Sequence, residues 1–119
     1  MGYRLGVSSV VDGQERKTKT RFLLETSQLF ASFVYDLSVL EQRKGNHLRF
    51  KVLGLKPPQL SIPSSGHARF ERDYEDLAGT FDITIESMDG STNTFKLRSS
   101  PTKIELVCAP KEAFTELIL

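Results

Sequence analysis

Apolar and polar residues alternate along short segments of this chain, and the pattern is clearest between residues 80 and 99. There every second position is apolar on both sides of the dipeptide Asp89-Gly90, at Phe81, Ile83, Ile85, Phe95 and Leu97. Successive side chains of a β-strand point to opposite faces, and Asp-Gly is a favoured two-residue turn. The stretch therefore predicts two antiparallel strands joined as a β-hairpin.

The same alternation recurs in other parts of the chain, at residues 3–7, 17–25, 47–52 and 103–108. Glycine, proline, serine and asparagine separate these runs, and Pro57-Pro58 closes the third of them. Short alternating runs between turn residues predict an all-β fold. We expect one domain spanning residues 1–119, built as an antiparallel β-sandwich of about seven to nine strands.

Residues 28–44 fit two different patterns. As a helix, the segment would follow Ser27, end before Gly45 and carry one apolar stripe, formed by Leu29, Phe30, Phe33, Val34, Leu37 and Leu40. As a strand, it would turn at Lys44-Gly45-Asn46 and place four apolar side chains on one face, those of Phe33, Tyr35, Leu37 and Val39. We favour the strand, because the neighbouring segments are strands and local patterns that agree favour one fold. The helix would make the domain α+β.

The late part of the chain, residues 67–108, combines a charged amphipathic run, the sequence Gly79-Thr80-Phe81 and the hairpin at Asp89-Gly90. This order resembles the late strands of immunoglobulin-like sandwiches, where Gly-Thr-Tyr leads into a strand and a hairpin follows. Phe81 stands in place of the tyrosine. The Cys–Trp–Cys set of true immunoglobulin domains is absent, since the chain has one cysteine and no tryptophan. The resemblance implies an immunoglobulin-like β-sandwich, a fold that serves more often in binding or structure than in catalysis.

The composition, with 39% apolar and 26% charged residues, is that of an ordinary globular protein. The single cysteine, Cys108, ends an apolar run, so we expect a buried thiol that forms no internal disulfide. No apolar stretch of a signal peptide follows Met1, and no segment approaches the roughly 20 apolar residues of a membrane span. We therefore expect a cytoplasmic protein without a membrane span.

The net charge of +1 hides an asymmetry between the two halves of the chain. Residues 1–60 carry ten Lys and Arg against five Asp and Glu, whereas residues 61–119 carry six against ten. Two basic faces are predicted within 16–21 and 47–51, and their candidate binding residues are Lys17, Lys19, Arg21, His47, Arg49 and Lys51. An acidic row at 71–75 carries the opposite sign. Such a division favours association with a protein partner, an acidic protein or a second copy of the chain.

Nucleic acid is an alternative ligand for the basic faces. It would bind through Arg21, Arg49 and Lys51, and its affinity would fall steeply with salt. Binding of single strands uses exposed aromatic side chains for stacking, whereas the phenylalanines here alternate toward the interior. We therefore expect a protein partner rather than nucleic acid.

Catalysis has one candidate location, the stretch that contains His67, Glu71 and Asp73. These residues could serve a small hydrolase, and they also complete the list of candidate binding residues. On a strand, however, His67 and Glu71 lie about 13 Å apart at about 3.3 Å per residue, too far to bind one metal ion. The chain has no zinc-type Cys/His spacing, no phosphate-binding glycine loop and no Gly-x-Ser-x-Gly elbow. We expect no metal and no cofactor, and we favour a non-catalytic binding module over an enzyme.

The end of the chain is apolar, with Phe114 followed by Leu117-Ile118-Leu119. Three interpretations are open for it: a last strand packed on the core, a short helix that begins after Pro110, or a contact with a second copy of the chain. If the tail were left exposed, it would favour aggregation.

Overall fold

A computed structural model of the chain describes residues 2–11, 18–30, 36–56, 66–75, 77, 79–99 and 104–119. These residues contain nine strands and no helix, so the all-β prediction is confirmed. The strands are β1 (Tyr3–Val11), β2 (Thr18–Phe30), β3 (Asp36–Lys44), β4 (His47–Lys56), β5 (Gly66–Tyr74), β6 (Gly79–Glu86), β7 (Thr92–Ser99), β8 (Ile104–Cys108) and β9 (Thr115–Ile118).

The strand interpretation of residues 36–44 is confirmed, and the helix alternative is wrong there. A helical stripe would bury both Leu37 and Leu40, but their exposed fractions are 2% and 46%. Residues 28–30 belong to β2, and residues 31–35 lie outside the described part of the chain. The turn to β4 falls at Gly45 and Asn46, where Gly45 has a φ of 61° that suits glycine.

The strands form two mixed sheets, which corrects the all-antiparallel arrangement that the sequence predicted. The hydrogen-bonded order of the strands is β8-β7-β6-β4-β3-β5-β2-β1-β9, and we call the first five strands of this order sheet one and the last four sheet two. One parallel bridge, between Asp36 and Arg69, joins the two sheets. The pairs β4–β6 and β1–β9 are parallel. Because β5 lies in sheet two, the chain leaves sheet one after β4 and returns to it at β6. Strands β4 and β6 therefore run in the same direction.

An aromatic cluster connects the two sheets in the interior. The ring of Phe22 on β2 makes edge-to-face contacts with Phe50 on β4 and Phe81 on β6, at centroid distances of 5.7 Å and 5.9 Å. Phe70 on β5 packs against Phe50 in the same geometry at 5.3 Å. Leucine, isoleucine and valine side chains from β1, β2, β4, β6 and β7 complete the buried cluster. These alternating side chains explain why β1, β2, β4, β6 and β7 each bury one face.

The hairpin predicted at Asp89-Gly90 is confirmed as the connection between β6 and β7. Gly90 has a φ of 89°, and the backbone N–H of Ser91 donates to Asp89 Oδ1 at 2.9 Å. This hydrogen bond is the largest cause that lowers the pKa of Asp89. The turn therefore uses both residues of the dipeptide, one for its backbone freedom and one for its side-chain acceptor.

The apolar end of the chain forms a strand packed on the core, not a helix. Asn93 on β7 fixes the approach to β9: its Oδ1 accepts hydrogen bonds from the N–H groups of Phe114 and Thr115, at 3.0 Å and 3.1 Å. Its Nδ2 donates to the carbonyl of Glu112 at 3.0 Å. Asn93 is almost fully buried, and these hydrogen bonds satisfy its polar side chain in the interior.

Candidate interaction surfaces

The two predicted basic faces belong to different sheets. Lys19 and Arg21 lie on β2 in sheet two, whereas His47, Arg49 and Lys51 lie on β4 in sheet one. Lys17, like residue 16, lies outside the described residues. Because β2 and β4 do not pair, the two rows do not form one continuous basic patch. Their role in binding stays a prediction.

The acidic row of β5 lies directly beside the basic row of β2. Arg21 and Asp73 are opposite each other in the β2–β5 register, and the guanidinium donates to both carboxylate oxygens, at 2.9 Å and 3.1 Å. Arg21 also lies 3.3 Å from Glu71, and Lys19 lies 3.7 Å from Glu75. The hydrogen bond from Arg21 is the main cause that lowers the pKa of Asp73. Rows that the sequence assigned to opposite surfaces thus neutralise each other on one face.

A second row of ion pairs crosses the outer face of sheet two. Glu25 on β2 lies between Arg4 on β1, at 3.4 Å, and Arg69 on β5, at 3.3 Å. Glu116 on β9 is the register partner of Arg4, so charges alternate in sign across four strands. Such cross-strand pairs each contribute little to stability at a surface, but they leave no excess charge of one sign.

The basic row of β4 is paired in the same way on sheet one. Glu86 on β6 forms a close hydrogen-bonded ion pair with Arg49, and its second carboxylate oxygen lies 3.5 Å from Lys51. Arg49 is the largest cause that lowers the pKa of Glu86. A nucleic-acid phosphate would have to compete with a carboxylate that is already in place at both of these cations.

The residues of the hydrolase alternative lie on one strand and do not converge. His67, Glu71 and Asp73 all belong to β5, where the backbone of His67 pairs with that of Leu29 on β2. The carboxylate of Asp73 is held by Arg21, which keeps it ionised and unsuited to act as a general acid near neutral pH. The geometry of the described atoms gives this alternative no support.

A hydroxyl, an imidazole and a carboxylate form a row on sheet one that the sequence did not indicate. His47 Nδ1 lies 3.6 Å from Asp82 Oδ2, and Thr84 Oγ1 lies 3.5 Å from His47 Nε2. Both distances exceed the reach of about 2.6–3.2 Å that proton transfer needs, and Thr84 Oγ1 lies closer to Thr94 Oγ1, at 2.9 Å. The imidazole is about half exposed on the outer face of the sheet. We therefore interpret the row as a polar surface rather than an activated nucleophile.

Tyr74 on β5 is the centre of a cluster that joins sheet two to sheet one. Its hydroxyl donates to Glu41 Oε2 on β3 at 2.7 Å, and Arg72 Nε donates to the same oxygen at 3.0 Å. The guanidiniums of Arg43 and Arg72 lie 5.5 Å and 5.3 Å from the ring centroid, within cation–π distance. Burial, and then the hydrogen bond to Glu41, raise the pKa of Tyr74 to about 12. An open cleft of about 560 Å³ beside the cluster is lined by both signs of charge.

The sequence prediction for Cys108 is wrong, because its thiol is exposed. Cys108 ends β8, which is the outermost strand of sheet one in the described residues. The register shifts between the pairs Lys96–Cys108 and Leu97–Leu106, so Val107 forms a bulge, and Pro110 follows the strand. Bulges and prolines both protect an open edge against pairing with another chain.

In the described part of the chain, β9 is the outermost strand of sheet two and has neither of these protections. Its register with β1 is regular, from Tyr3–Thr115 to Gly6–Ile118. Ile118 is 46% exposed and Leu119 is 55% exposed. On the outer face, Gly6 of β1 lies between Ile118 of β9 and Leu23 of β2. Because Gly6 has no side chain, these three residues form a short apolar row across three strands. The sequence indicated the apolar tail but not the open edge beside it.

Comparison of the chain with models of protein families, with curated proteins and with solved structures finds no match. Among the described residues, no three His, Cys, Asp or Glu side chains are grouped closely enough to hold a metal ion. The same part of the chain has no helix that could cross a membrane.

Proposed function

We propose that this protein is a non-catalytic interaction module that binds another polypeptide by adding a strand to the edge of β9. The observation that carries the proposal is the combination of an open, regular strand edge with the exposed side chains of Ile118 and Leu119. An unpaired edge presents a row of backbone N–H and C=O groups, which an extended segment can pair with. Alternate side chains of that segment would then contact the apolar row of the outer face.

The difference between the two edges supports this choice. Strand β8 carries a bulge at Val107 and is followed by Pro110, whereas β9 has a regular register and a single charged residue, Glu116. An edge that is apolar, regular and unprotected favours pairing with another chain. We infer that β9 is the edge that functions in binding.

The charge distribution supports a polypeptide over nucleic acid. Arg21, Arg49 and Lys51, through which nucleic acid would bind, each lie beside a carboxylate of the same chain. Recognition by backbone pairing and apolar contact needs no excess charge. The proposed binding therefore does not depend on the basic rows of β2 and β4, whose cations are already paired within the chain.

We also propose that the two sheets form an immunoglobulin-like β-sandwich. Three observations support it: Phe22 of sheet two packs on Phe50 and Phe81 of sheet one, β5 pairs with β2, and β6 and β7 form a hairpin. Sandwiches of this kind present their edges and end loops to partners, and that use agrees with a binding role.

Selection of random heptapeptides displayed on phage, with the wild-type protein as bait, tests the proposal. We expect selected peptides to bind wild type and Leu53→Lys, and to lose binding to Ile118→Lys. Leu53 is a matched control, because it is as exposed as Leu119 but lies on β4. In heteronuclear NMR spectra, the peptides should shift the amide resonances of β9. Peptides that bind Ile118→Lys as well as wild type would show the proposal to be wrong.

A further inference from the structure

We propose that the strand added to β9 is β9 of a second copy of this chain, in antiparallel orientation, with Leu117 facing Leu117 across a two-fold axis. This inference rests on the proposed function and names the partner. A two-fold contact uses the same surface on both copies, so it requires only that β9 be complementary to itself.

The face that each side chain occupies restricts the register. Thr115 is buried and Leu117 packs against the core, while Glu116 and Ile118 are exposed on the outer face. Residues directly opposite in an antiparallel pair lie on the same face of a sheet, so a slip by one position would mismatch every pair. The register centred on Leu117 pairs Glu116 with Ile118 of the second copy and Thr115 with Leu119 of the second copy. In this register, all five residues from 115 to 119 lie opposite residues of the second copy.

Charge favours this register over its neighbour. A register centred on Glu116 would place the two Glu116 carboxylates directly opposite each other, which is destabilising. In the register centred on Leu117, they lie diagonally, about 7–8 Å apart. Each Glu116 also keeps Arg4 of its own chain as its register partner on β1.

A cavity at the start of β9 can accept the apolar side chain that this register places beside it, that of Leu119 of the second copy. The cavity, of about 360 Å³, is lined mainly by apolar groups, from Gly2, Tyr3, Ala113, Phe114, Thr115 and Glu116. Leu119 of the second copy would lie opposite Thr115, at the edge of this cavity. No other large apolar side chain in the described residues is more exposed than Leu119. The pairing therefore covers an apolar side chain with an apolar cavity, twice in each dimer.

Two-fold pairing of β9 also closes the assembly. Sheet two would continue from one copy into the next as eight strands, with β5 at both ends. Pairing of β9 with β8 of a second copy would instead leave one edge open on each side and would produce open chains. The bulge in β8 disfavours that arrangement.

Disulfide trapping tests the register. In a background with Cys108→Ser, which removes the native thiol, we would prepare Glu116→Cys and Ile118→Cys as separate variants and mix them under mild oxidation. We expect disulfide-linked dimers in the mixture and few in either variant alone, because only residues 116 and 118 face each other. A mixture of Glu116→Cys with Leu53→Cys is the matched control. Light scattering after size exclusion, at rising protein concentration, should show a dimer that Ile118→Glu, which places a carboxylate opposite Glu116 of the second copy, weakens at least about tenfold.

The outcomes separate this inference from the proposed function. If wild type stays monomeric and the mixture gives no specific dimer, while selected heptapeptides still shift the β9 resonances, the second copy is wrong and strand addition stands. If neither the peptides nor a second copy bind β9, both are wrong. If the Leu53→Cys control links as efficiently as the test pair, the dimers arise by random collision and the register is wrong. Far-ultraviolet circular dichroism of each variant should match that of wild type.

Discussion

Arg21 on β2 and Asp73 on β5 form a two-point ion pair, with Nε 2.9 Å from Oδ1 and Nη2 3.1 Å from Oδ2. The two residues come from segments of opposite charge, 52 positions apart in the sequence. Their pairing shows that the charge asymmetry between the halves of the chain is largely cancelled where strands from the two halves meet. It also makes this face sensitive to acid.

Replacement of Asp73 by asparagine should reduce the free energy of unfolding at neutral pH by a small amount. The hydrogen bond from Arg21 lowers the pKa of Asp73 in the folded state below its unfolded value of about 3.9. The ion pair therefore stabilises the fold above that pH, and its contribution is lost as the pH falls through the folded pKa. Urea unfolding should show a difference between wild type and Asp73→Asn at neutral pH that shrinks as the pH falls below about 4. Glu75→Gln, at a longer ion pair, should have a smaller effect; equal effects would contradict this prediction.

Phe22→Ala should be the most destabilising of the substitutions considered for this protein. Phe22 is fully buried and its ring contacts Phe50, Phe81 and Tyr74, so truncation leaves a cavity between the sheets. We expect a loss of about 3–5 kcal/mol in the free energy of unfolding, measured by chemical denaturation. Phe22→Leu, which keeps most of the volume, should cost clearly less. If the two variants lose the same stability, the aromatic cluster is not the main connection between the sheets.

Alkali should destabilise the protein through Tyr74. Its pKa is raised from 10.0 to about 12 in the folded state. Between these values the unfolded chain has lost the phenolic proton while the folded chain keeps it, so stability falls as the pH rises through this range. We expect a loss of roughly 2 kcal/mol by about pH 12, and Tyr74→Phe should remove that part of the pH dependence. Phenolate absorbance should show Tyr74 titrating above its ordinary pKa in wild type. A normal titration for every tyrosine would contradict the buried hydrogen bond to Glu41.

Asn93→Ala should loosen the end of the chain without unfolding the sheets. The substitution removes the acceptor for the N–H groups of Phe114 and Thr115, and an unsatisfied buried group costs about 1–3 kcal/mol. Hydrogen exchange followed by mass spectrometry should speed up in β9 and leave β4 and β6 unchanged. Asn46→Ala, which removes an exposed amide that donates to Thr80, is the matched control. Unchanged exchange in β9 would show that Asn93 does not hold this strand.

Local patterns in the sequence predicted the strands well, because each depends on adjacent residues. The dipeptide Asp89-Gly90 and the alternation around it located the β6–β7 hairpin, and Gly45 marked the turn after β3. For residues 28–44 the local pattern fitted both helix and strand, and agreement with the neighbouring strands led to the choice that is correct at 36–44. These features need no information about which strands are neighbours.

The arrangement of the strands could not be predicted, because it depends on contacts between distant segments. The parallel pairing of β4 with β6 follows from β5 crossing to the other sheet, and no local pattern encodes that crossing. The cancellation of charge between Arg21 and Asp73, and the hydrogen bond from Tyr74 to Glu41, follow from strand order in turn. Cys108 was expected to be buried because its neighbours are apolar, but a strand at an edge leaves apolar residues exposed.

The parallel pair of β1 and β9 places Tyr3 beside Thr115, with most of the chain between them. Contacts this distant in sequence form late in folding, because the intervening chain must first lose much of its conformational freedom. During synthesis on the ribosome, β1 emerges early and pairs with β2, but its other side stays open until β9 has left the exit tunnel. A nascent chain of this protein therefore exposes a strand edge that the finished fold covers, from the pairing of β1 with β2 until β9 has emerged.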